Sequence, residues 1–156
     1  MAFTIRSPAF APGGTIPKKY TLEGGNVSPP LEWSDPPQGA RSFALICEDP
    51  DAPSGTFRHW AVCNIPTDQN GLSEGIDAQH DKHDSRWSFA VNDFGHDRYD
   101  GPRPPAGDGP HHYHFRLAAL DADLIDMPPD TSADELWRAM QPYIIEETET
   151  VATYQR

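Results

Sequence analysis

Proline and glycine interrupt this chain along most of its length. Seventeen prolines and 12 glycines are spread over 156 residues. Each proline fixes φ and lacks the N–H group that a helix interior or a central strand requires. The long helices of a helical bundle are therefore excluded, and short strands joined by many turns are favoured.

Short apolar or alternating segments bounded by turn residues predict the strands. They span residues 3–7, 18–22, 41–48, 57–65, 86–92 and 111–120. The segment RSFALICE at 41–48 is apolar almost throughout, as expected of a strand buried on both faces. The turn-rich DPDAPSG joins it to FRHWAVCNI at 57–65, so we expect these two strands to pair antiparallel. Residues 69–85 and 93–110 are predicted to be long loops.

One helix is predicted near the C-terminus. Ser132 and Glu135 have the spacing of a capping box. An apolar stripe at helical spacing follows, formed by Leu136, Ala139, Met140 and Ile144. Pro142 interrupts the pattern, so we expect a helix over residues 132–141 and a second piece after it. Many strands and one late helix predict a mainly β, two-sheet architecture, and the length is that of a single domain over residues 1–156.

The charge balance excludes several classes of function. Twelve Lys and Arg residues against 24 Asp and Glu residues give a net charge of −12. Nucleic-acid binding and stable membrane association both need clustered basic residues, so neither is expected. Such a charge favours neutral, cationic or locally captured ligands.

The cysteines and the N-terminus bear on the cellular compartment. Cys47 and Cys63 are the only cysteines, and we expect both to be buried, reduced core residues. The N-terminal sequence lacks the basic and apolar regions of a signal peptide, and no segment approaches the ~20 apolar residues of a membrane span. A cytoplasmic protein is the expectation.

Polar side chains gather at strand ends. If the strands 41–48 and 57–65 are neighbours, Asp49, Asp51 and His59 can lie at one edge of the sheet. The strand that opens at His111 adds a second imidazole and the phenol of Tyr113 on the same face. The loop before it, rich in glycine and proline, can expose backbone N–H groups. Hydrogen-bond donors of these kinds predict a small pocket for an oxyanion or phosphate.

The two carboxylates do not fit that pocket as ligands of a phosphate, because like charges repel. Asp49 and Asp51 can instead keep a histidine protonated, order the loop, or receive an ammonium group of the ligand. Structural interpretations stay open beside these: DPDAP as an ordinary turn, His59 as a core histidine, and His112 and His114 as a solvated strand face.

If His59 or His111 must be protonated, phosphate should bind more tightly near pH 6 than near pH 8.

Four segments together carry a resemblance to a known family. They are GGNVSPPLEW (24–33), SFALICEDPDAPSGTFRHWAVCNIP (42–66), NDFGHDRYDGPRPPAGDGPHHYHFRLAALD (92–121) and the closing ELWRAM…TYQR. In this order they resemble the phosphatidylethanolamine-binding protein family, also called Raf kinase inhibitor-like, in its short prokaryotic form.

The resemblance implies a β-sandwich-like fold in which a large antiparallel sheet packs on a smaller one, with short C-terminal helical elements. It also implies a shallow, non-catalytic pocket for phosphate or phosphorylated head groups such as phosphoethanolamine, with no cofactor and no metal. A role in modulating a protein kinase or another partner protein, and a homodimer, are compatible with it. The implied ligand-binding residues are Asp49, Asp51, His59, Gly101, Pro104, Pro105, His111 and Tyr113.

The chain departs from the family pattern at several positions. Arg103 stands where prokaryotic relatives often have cysteine, which adds a guanidinium beside the implied pocket. His112 replaces a common arginine, and Gln141 and Pro142 replace a common Gly-His pair.

Two other classes of function remain as alternatives. A metal-dependent hydrolase or lyase would use His112 and His114 as a zinc pair, completed by Asp49, Asp51 or His59. No recognised catalytic motif supports it. A protein-interaction or inhibitor module would instead use the pocket to read a phosphorylated residue of its partner.

Overall fold

The computed structural model describes residues 2–79 and 87–156. The strands in this part of the chain are β1 (Thr4–Arg6), β2 (Leu31–Ser34), β3 (Ser42–Asp49), β4 (Phe57–Ile65), β5 (Gly71–Leu72), β6 (Ser88–Phe89), β7 (His111–Leu120) and β8 (Ile144–Tyr154). The helices are α1 (Ile76–Gln79), α2 (Ala133–Met140) and two 3-10 turns at Lys18–Tyr20 and Gln141–Tyr143. No helix in the described residues is long and apolar enough to cross a membrane.

The strands form two antiparallel sheets, as the sequence predicts. The small sheet has the order β1-β2-β5, and the large sheet has the order β6-β4-β3-β7-β8. Strand β3 lies at the centre of the large sheet, paired antiparallel with β4 on one side and β7 on the other. In that register Cys47 faces Trp60 of β4 and Phe115 of β7. The predicted pairing of β3 with β4 is confirmed.

Three layers explain why β3 is apolar on both faces. Phe43, Leu45 and Cys47 belong to the core between the two sheets. Ala44 and Ile46 point the other way, into a second core that is covered by α2. All five side chains are at most 1% exposed. The large sheet is therefore sandwiched between the small sheet and the helix, which requires a continuous apolar segment in its central strand.

Helix α2 begins where the capping box predicts. The Ser132 side chain accepts a hydrogen bond from the Glu135 N–H, and the Glu135 carboxylate accepts one from the Ser132 N–H. The helix ends at Met140, before Pro142, as the proline requires. Its buried face consists of Ala133, Leu136, Trp137 and Met140. The predicted apolar stripe was wrong at Ala139, which is exposed. Trp137, which was not in the predicted stripe, is buried instead.

Several local predictions are corrected. Residues 18–22 do not form a strand: a 3-10 turn at Lys18–Tyr20 buries the Tyr20 ring, and the Thr21 hydroxyl donates to the Lys18 carbonyl. The strand predicted over 86–92 is only Ser88–Phe89. The loop predicted over 69–85 contains β5 and α1, whereas His80 and the rest of residues 80–86 lie outside the described residues.

The end of the chain is also different from the prediction. Pro142 lies inside the 3-10 turn Gln141–Tyr143. The 11-residue strand β8 follows this turn and pairs with β7 over nearly its whole length. Near its C-terminal end β8 is covered by the N-terminal segment, where Ile16 donates its N–H to the Thr153 carbonyl. Both cysteines are buried, as predicted, and burial raises the pKa of Cys63 to about 12.

Candidate functional site

A cavity of about 290 Å³ opens at the end of β3, where β4 and β7 flank it. It is lined by Asp49, Ala52, Pro53, Ser54, Phe57, His59, Phe94, Arg103, Pro104, Pro105, His111 and Tyr113. Asp49, His59, His111 and Tyr113 come from strand ends. Ala52, Pro53 and Ser54 come from the turn between β3 and β4, and Arg103, Pro104 and Pro105 come from the loop that precedes β7. Six of the eight predicted ligand residues therefore meet in one place: Asp49, His59, Pro104, Pro105, His111 and Tyr113.

His111 is held between two carboxylates. Its Nδ1 lies 2.7 Å from Oδ2 of the buried Asp49, and its Nε2 lies 2.5 Å from Oδ2 of Asp108. Carboxylate oxygens only accept, so both ring nitrogens act as donors when the ring is charged. Burial would lower the pKa of His111, but the hydrogen bonds to Asp108 and Asp49 outweigh it and raise that pKa. Both contacts therefore favour the imidazolium form of His111. Keeping a histidine protonated is one of the roles that the sequence suggested for Asp49.

His59 has the opposite character. Its Nδ1 lies 2.7 Å from the Asp100 carbonyl, which can only accept, so Nδ1 carries the proton. Burial lowers the pKa of His59, and the hydrogen bond to Asp100 opposes this without reversing it. The neutral ring leaves Nε2 as an acceptor for a ligand. The sequence predicts that both imidazoles donate to an anion. In the structure His111 is the donor and His59 is an acceptor.

Tyr113 and Arg103 supply further donors. The Tyr113 ring packs edge-on against His59, and burial next to Asp49 raises the pKa of its hydroxyl, which stays a phenol. Among the residues that the structure describes, no hydrogen bond is made by this hydroxyl, and no hydrogen bond or ion pair is made by the exposed guanidinium of Arg103. Both groups therefore remain available to a ligand in the cavity.

A buried carboxylate that the sequence analysis missed fixes the loop behind His59. Asp100 accepts hydrogen bonds from the side-chain amides of Asn26 and Asn92, both at 2.9 Å, and from His96 Nδ1 at 2.7 Å. Burial would raise the pKa of Asp100, but these hydrogen bonds outweigh it and lower that pKa. Because the Asp100 carbonyl holds His59, this network orients a ring of the cavity.

Two predicted ligand residues lie outside the cavity. The Asp51 carboxylate accepts from both the backbone N–H and Nδ1 of His112, each at 2.8 Å. Its own N–H donates to Asp49, so Asp51 orders the turn after β3 instead of facing the cavity. Gly101 packs against the Tyr20 carbonyl, where an added Cβ would lie 2.1 Å from the oxygen. It is a close-approach glycine that positions the loop.

The alternative metal site is not assembled. His112 and His114 lie on the face of β7 opposite to His111, where His112 contacts Asp51 and His114 lies 3.2 Å from Glu149. His59 faces the cavity on the other side of the sheet. In residues 2–79 and 87–156 no group of three His, Cys, Asp or Glu side chains is arranged to hold a metal ion.

A larger cavity, of about 490 Å³, lies beside Asn26, Asp77 and Tyr99. Its carboxylate is used within the protein, since Asp77 accepts from the Tyr99 N–H and from Trp60 Nε1, and the buried Ser28 hydroxyl is left without a partner among the described residues. The smaller cavity is therefore the candidate site, because its donors and acceptors face a common space.

The sequence and the fold were compared with those of known proteins. Residues 6–155 match the sequence family described as "Phosphatidylethanolamine-binding protein". A UPF0098 protein of Methanothermobacter thermautotrophicus is 42% identical over 153 residues, which cover 97% of this chain and 98% of the relative. The crystal structure of Escherichia coli YbcL, described as a member of the mammalian PEBP family, superposes with a TM-score of 0.94 at 31% identity, covering 100% of this chain and 99% of the other.

A second solved structure also superposes over almost the whole chain. The CT736 protein of Chlamydia trachomatis, a homolog of phosphatidylethanolamine-binding protein, superposes with a TM-score of 0.87 at 35% identity over 99% of this chain and 98% of its own. The family match and both superpositions thus extend over almost the whole chain. The chain belongs to the phosphatidylethanolamine-binding protein family.

Proposed function

We propose that the cavity binds phosphate or the phosphorylated head group of a small molecule, without catalysing a reaction. The observation that carries the proposal is the convergence of three donors of different kinds on one small space. These are the imidazolium of His111, the phenol of Tyr113 and the guanidinium of Arg103, which pairs with no other described residue. A phosphoryl group has enough oxygens to accept from all three at once, whereas a single carbonyl has not.

The remaining walls suit a head group that carries an organic substituent. Phe57, Phe94, Pro104 and Pro105 give the cavity apolar sides, and Phe94 is 39% exposed at its mouth. The neutral Nε2 of His59 and the carboxylate of Asp49 are acceptors. An ammonium group of the ligand can donate hydrogen bonds to them. A volume of about 290 Å³ is at the lower end for small-molecule sites, so a phosphoethanolamine-like head group fits better than a whole lipid.

Binding without catalysis is supported by the state of the two imidazoles. A general base needs an accessible lone pair on a ring that can take up a proton near the working pH. Both nitrogens of His111 donate to carboxylates, Nδ1 to Asp49 and Nε2 to Asp108, so neither has a free lone pair, and burial lowers the pKa of His59. Within the described residues, neither imidazole of the cavity makes a hydrogen bond to a serine or cysteine that it could activate as a nucleophile.

The proposal is tested by an amide NMR titration of chelator-treated protein with phosphate and then phosphoethanolamine. We expect saturable shifts in residues 49–60 and 101–113, and an affinity about tenfold weaker in Arg103→Gln, because one charge-assisted hydrogen-bond partner is lost. Arg41→Gln is the matched control: Arg41 precedes β3, is exposed, and lies about 25 Å from the cavity along that strand.

His111→Gln keeps a donor of similar size but removes the cation, so we expect it to abolish phosphate binding while leaving the unfolding transition cooperative. Absence of saturable shifts in the wild-type protein, or equal affinity in the wild type and His111→Gln, would overturn the proposed function. Stronger binding of phosphoethanolamine than of phosphate would assign an acceptor role to Asp49 or His59.

A further inference from the structure

The ring nitrogen of His111 that an anion would use is already engaged by another acceptor. Asp108 belongs to the loop that contributes Arg103 to the cavity, and its Oδ2 lies 2.5 Å from Nε2 of His111. Asp108 is not itself a lining residue of the cavity. Its carboxylate nevertheless makes with the imidazolium the contact that a phosphoryl oxygen would make.

The two carboxylates that flank His111 are held in very different ways. The Asp49 side chain is 5% exposed, and its Oδ1 also accepts the Asp51 N–H, so it is fixed inside the protein. The Asp108 side chain is 41% exposed, and its carboxylate makes no hydrogen bond or ion pair with a described residue other than His111. Only the Asp108 carboxylate can therefore rotate into solvent and be hydrated there at small cost.

The backbone around Asp108 permits this exchange. Gly107 and Gly109 flank it at φ of +80° and +82°, and an added Cβ at either position would meet no atom within 4 Å. The Asp108 N–H donates to the Pro105 carbonyl, which keeps the turn in place. A rotation of the Asp108 side chain alone therefore releases His111 without a movement of the loop.

We propose that Asp108 is an internal competitor that the ligand's phosphoryl group replaces on His111, and that this competition determines which anions the pocket accepts. The inference rests on the proposed function of the cavity. No covalent bond changes: the proton stays on Nε2, and one oxygen acceptor takes the place of another.

The competition favours anions with several acceptor oxygens. A tethered carboxylate is present at an effective concentration in the millimolar range or above, so a free carboxylate gains nothing by replacing it. A phosphoryl group gains additional hydrogen bonds from Arg103 and Tyr113, which Asp108 does not use. Wild-type protein should thus bind phosphate and discriminate against simple carboxylates such as acetate.

The test compares wild type, Asp108→Ala and Asp123→Ala by NMR titration with inorganic phosphate and with acetate. Asp123→Ala is the charge-matched control, since Asp123 pairs with Arg41 at the opposite end of β3. At about pH 6 the remaining contact with Asp49 keeps His111 charged, which is checked from the His111 ring signals. We expect Asp108→Ala to bind phosphate about tenfold more tightly, as one charge-assisted competitor is removed. Acetate should then compete with phosphate in this variant only.

Phosphate affinity in Asp108→Ala that equals or falls below the wild-type value, with His111 still charged, would overturn the inference while leaving the proposed function intact. The same holds if acetate competes equally in wild type and variant. If none of the three proteins shows saturable phosphate binding, the proposed function fails and the inference fails with it.

Discussion

Replacing Asp100 by alanine would remove the acceptor that ties together the two loops behind the pocket. The half-buried amide of Asn26 loses the acceptor that it has among the described residues, whereas the Asn92 amide keeps the carbonyls of His59 and Arg98. A donor left without a partner costs about 1–3 kcal/mol when buried, and a half-buried one falls at the lower end of that range. His96 and Arg98 are half-exposed and regain water, so each ion pair contributes at most about 1 kcal/mol.

These contributions add to an expected loss of about 3 kcal/mol in the free energy of unfolding. Urea unfolding at pH 7, followed by tryptophan fluorescence, measures this loss against Asp123→Ala. The latter removes an exposed ion pair, so it should cost less than about 1 kcal/mol. The affinity for phosphoethanolamine should fall as well, because the Asp100 segment holds Nδ1 of His59 and so orients Nε2, the acceptor for the ammonium group.

The pH dependence gives a second readout of the same variant. Hydrogen bonds lower the pKa of Asp100 below its ordinary value of 3.8. Its stabilisation is therefore present above that ordinary pKa and is lost as the pH falls through the lower value in the folded protein. The difference between wild type and Asp100→Ala should shrink in acid. A loss at pH 7 no larger than that of Asp123→Ala would refute the reasoning.

Three further predictions follow from local structure. The pKa of His111 is raised above 6.5, so its stabilisation should be complete below pH 6.5 and decline as the pH rises through the raised value. Unfolding free energies of wild type and His111→Gln from acid to alkaline pH measure this, and a constant difference would contradict it. Cys47 and Cys63 should resist a thiol reagent until urea unfolds the chain, since burial raises the pKa of both thiols. Rapid native labelling would contradict their burial. Ser132→Ala should destabilise by about 1 kcal/mol through loss of the capping box without changing phosphate affinity, and a change in affinity would mean that α2 couples to the pocket.

The sequence predicts the central strands well because their own side chains determine them. The apolar segment of β3, the turn after it and the alternation of β7 each carry a local signal. Strand β8 has no such signal: it lies at an edge of the large sheet, and its glutamates face solvent. Its structure depends on pairing with β7 and with the N-terminal segment, which no local pattern records.

The site is predictable to the extent that strand ends bring it together. His59, His111 and Tyr113 follow from strand pairing and alternation. The loop contacts do not, because Asp100 meets Asn26 across 74 positions in the chain and Asp108 meets His111 through a turn between two glycines. Polar partners in loops depend on three-dimensional closure and leave no periodic signal. The only sequence indication was the long Gly- and Pro-rich loop itself.

The alternation of strand β7 has a consequence for how such a pocket can change over evolution. Sliding β7 by one residue would still place imidazoles at the pocket, because His112 and His114 would take the inward positions. The same slip would force Arg116 into the core and expel Phe115, which is fully buried. The apolar half of the strand thus fixes its alignment by itself. The alignment of the sheet therefore does not depend on His111 or Tyr113, and replacements of similar size at these two positions can change the specificity of the pocket while the fold persists.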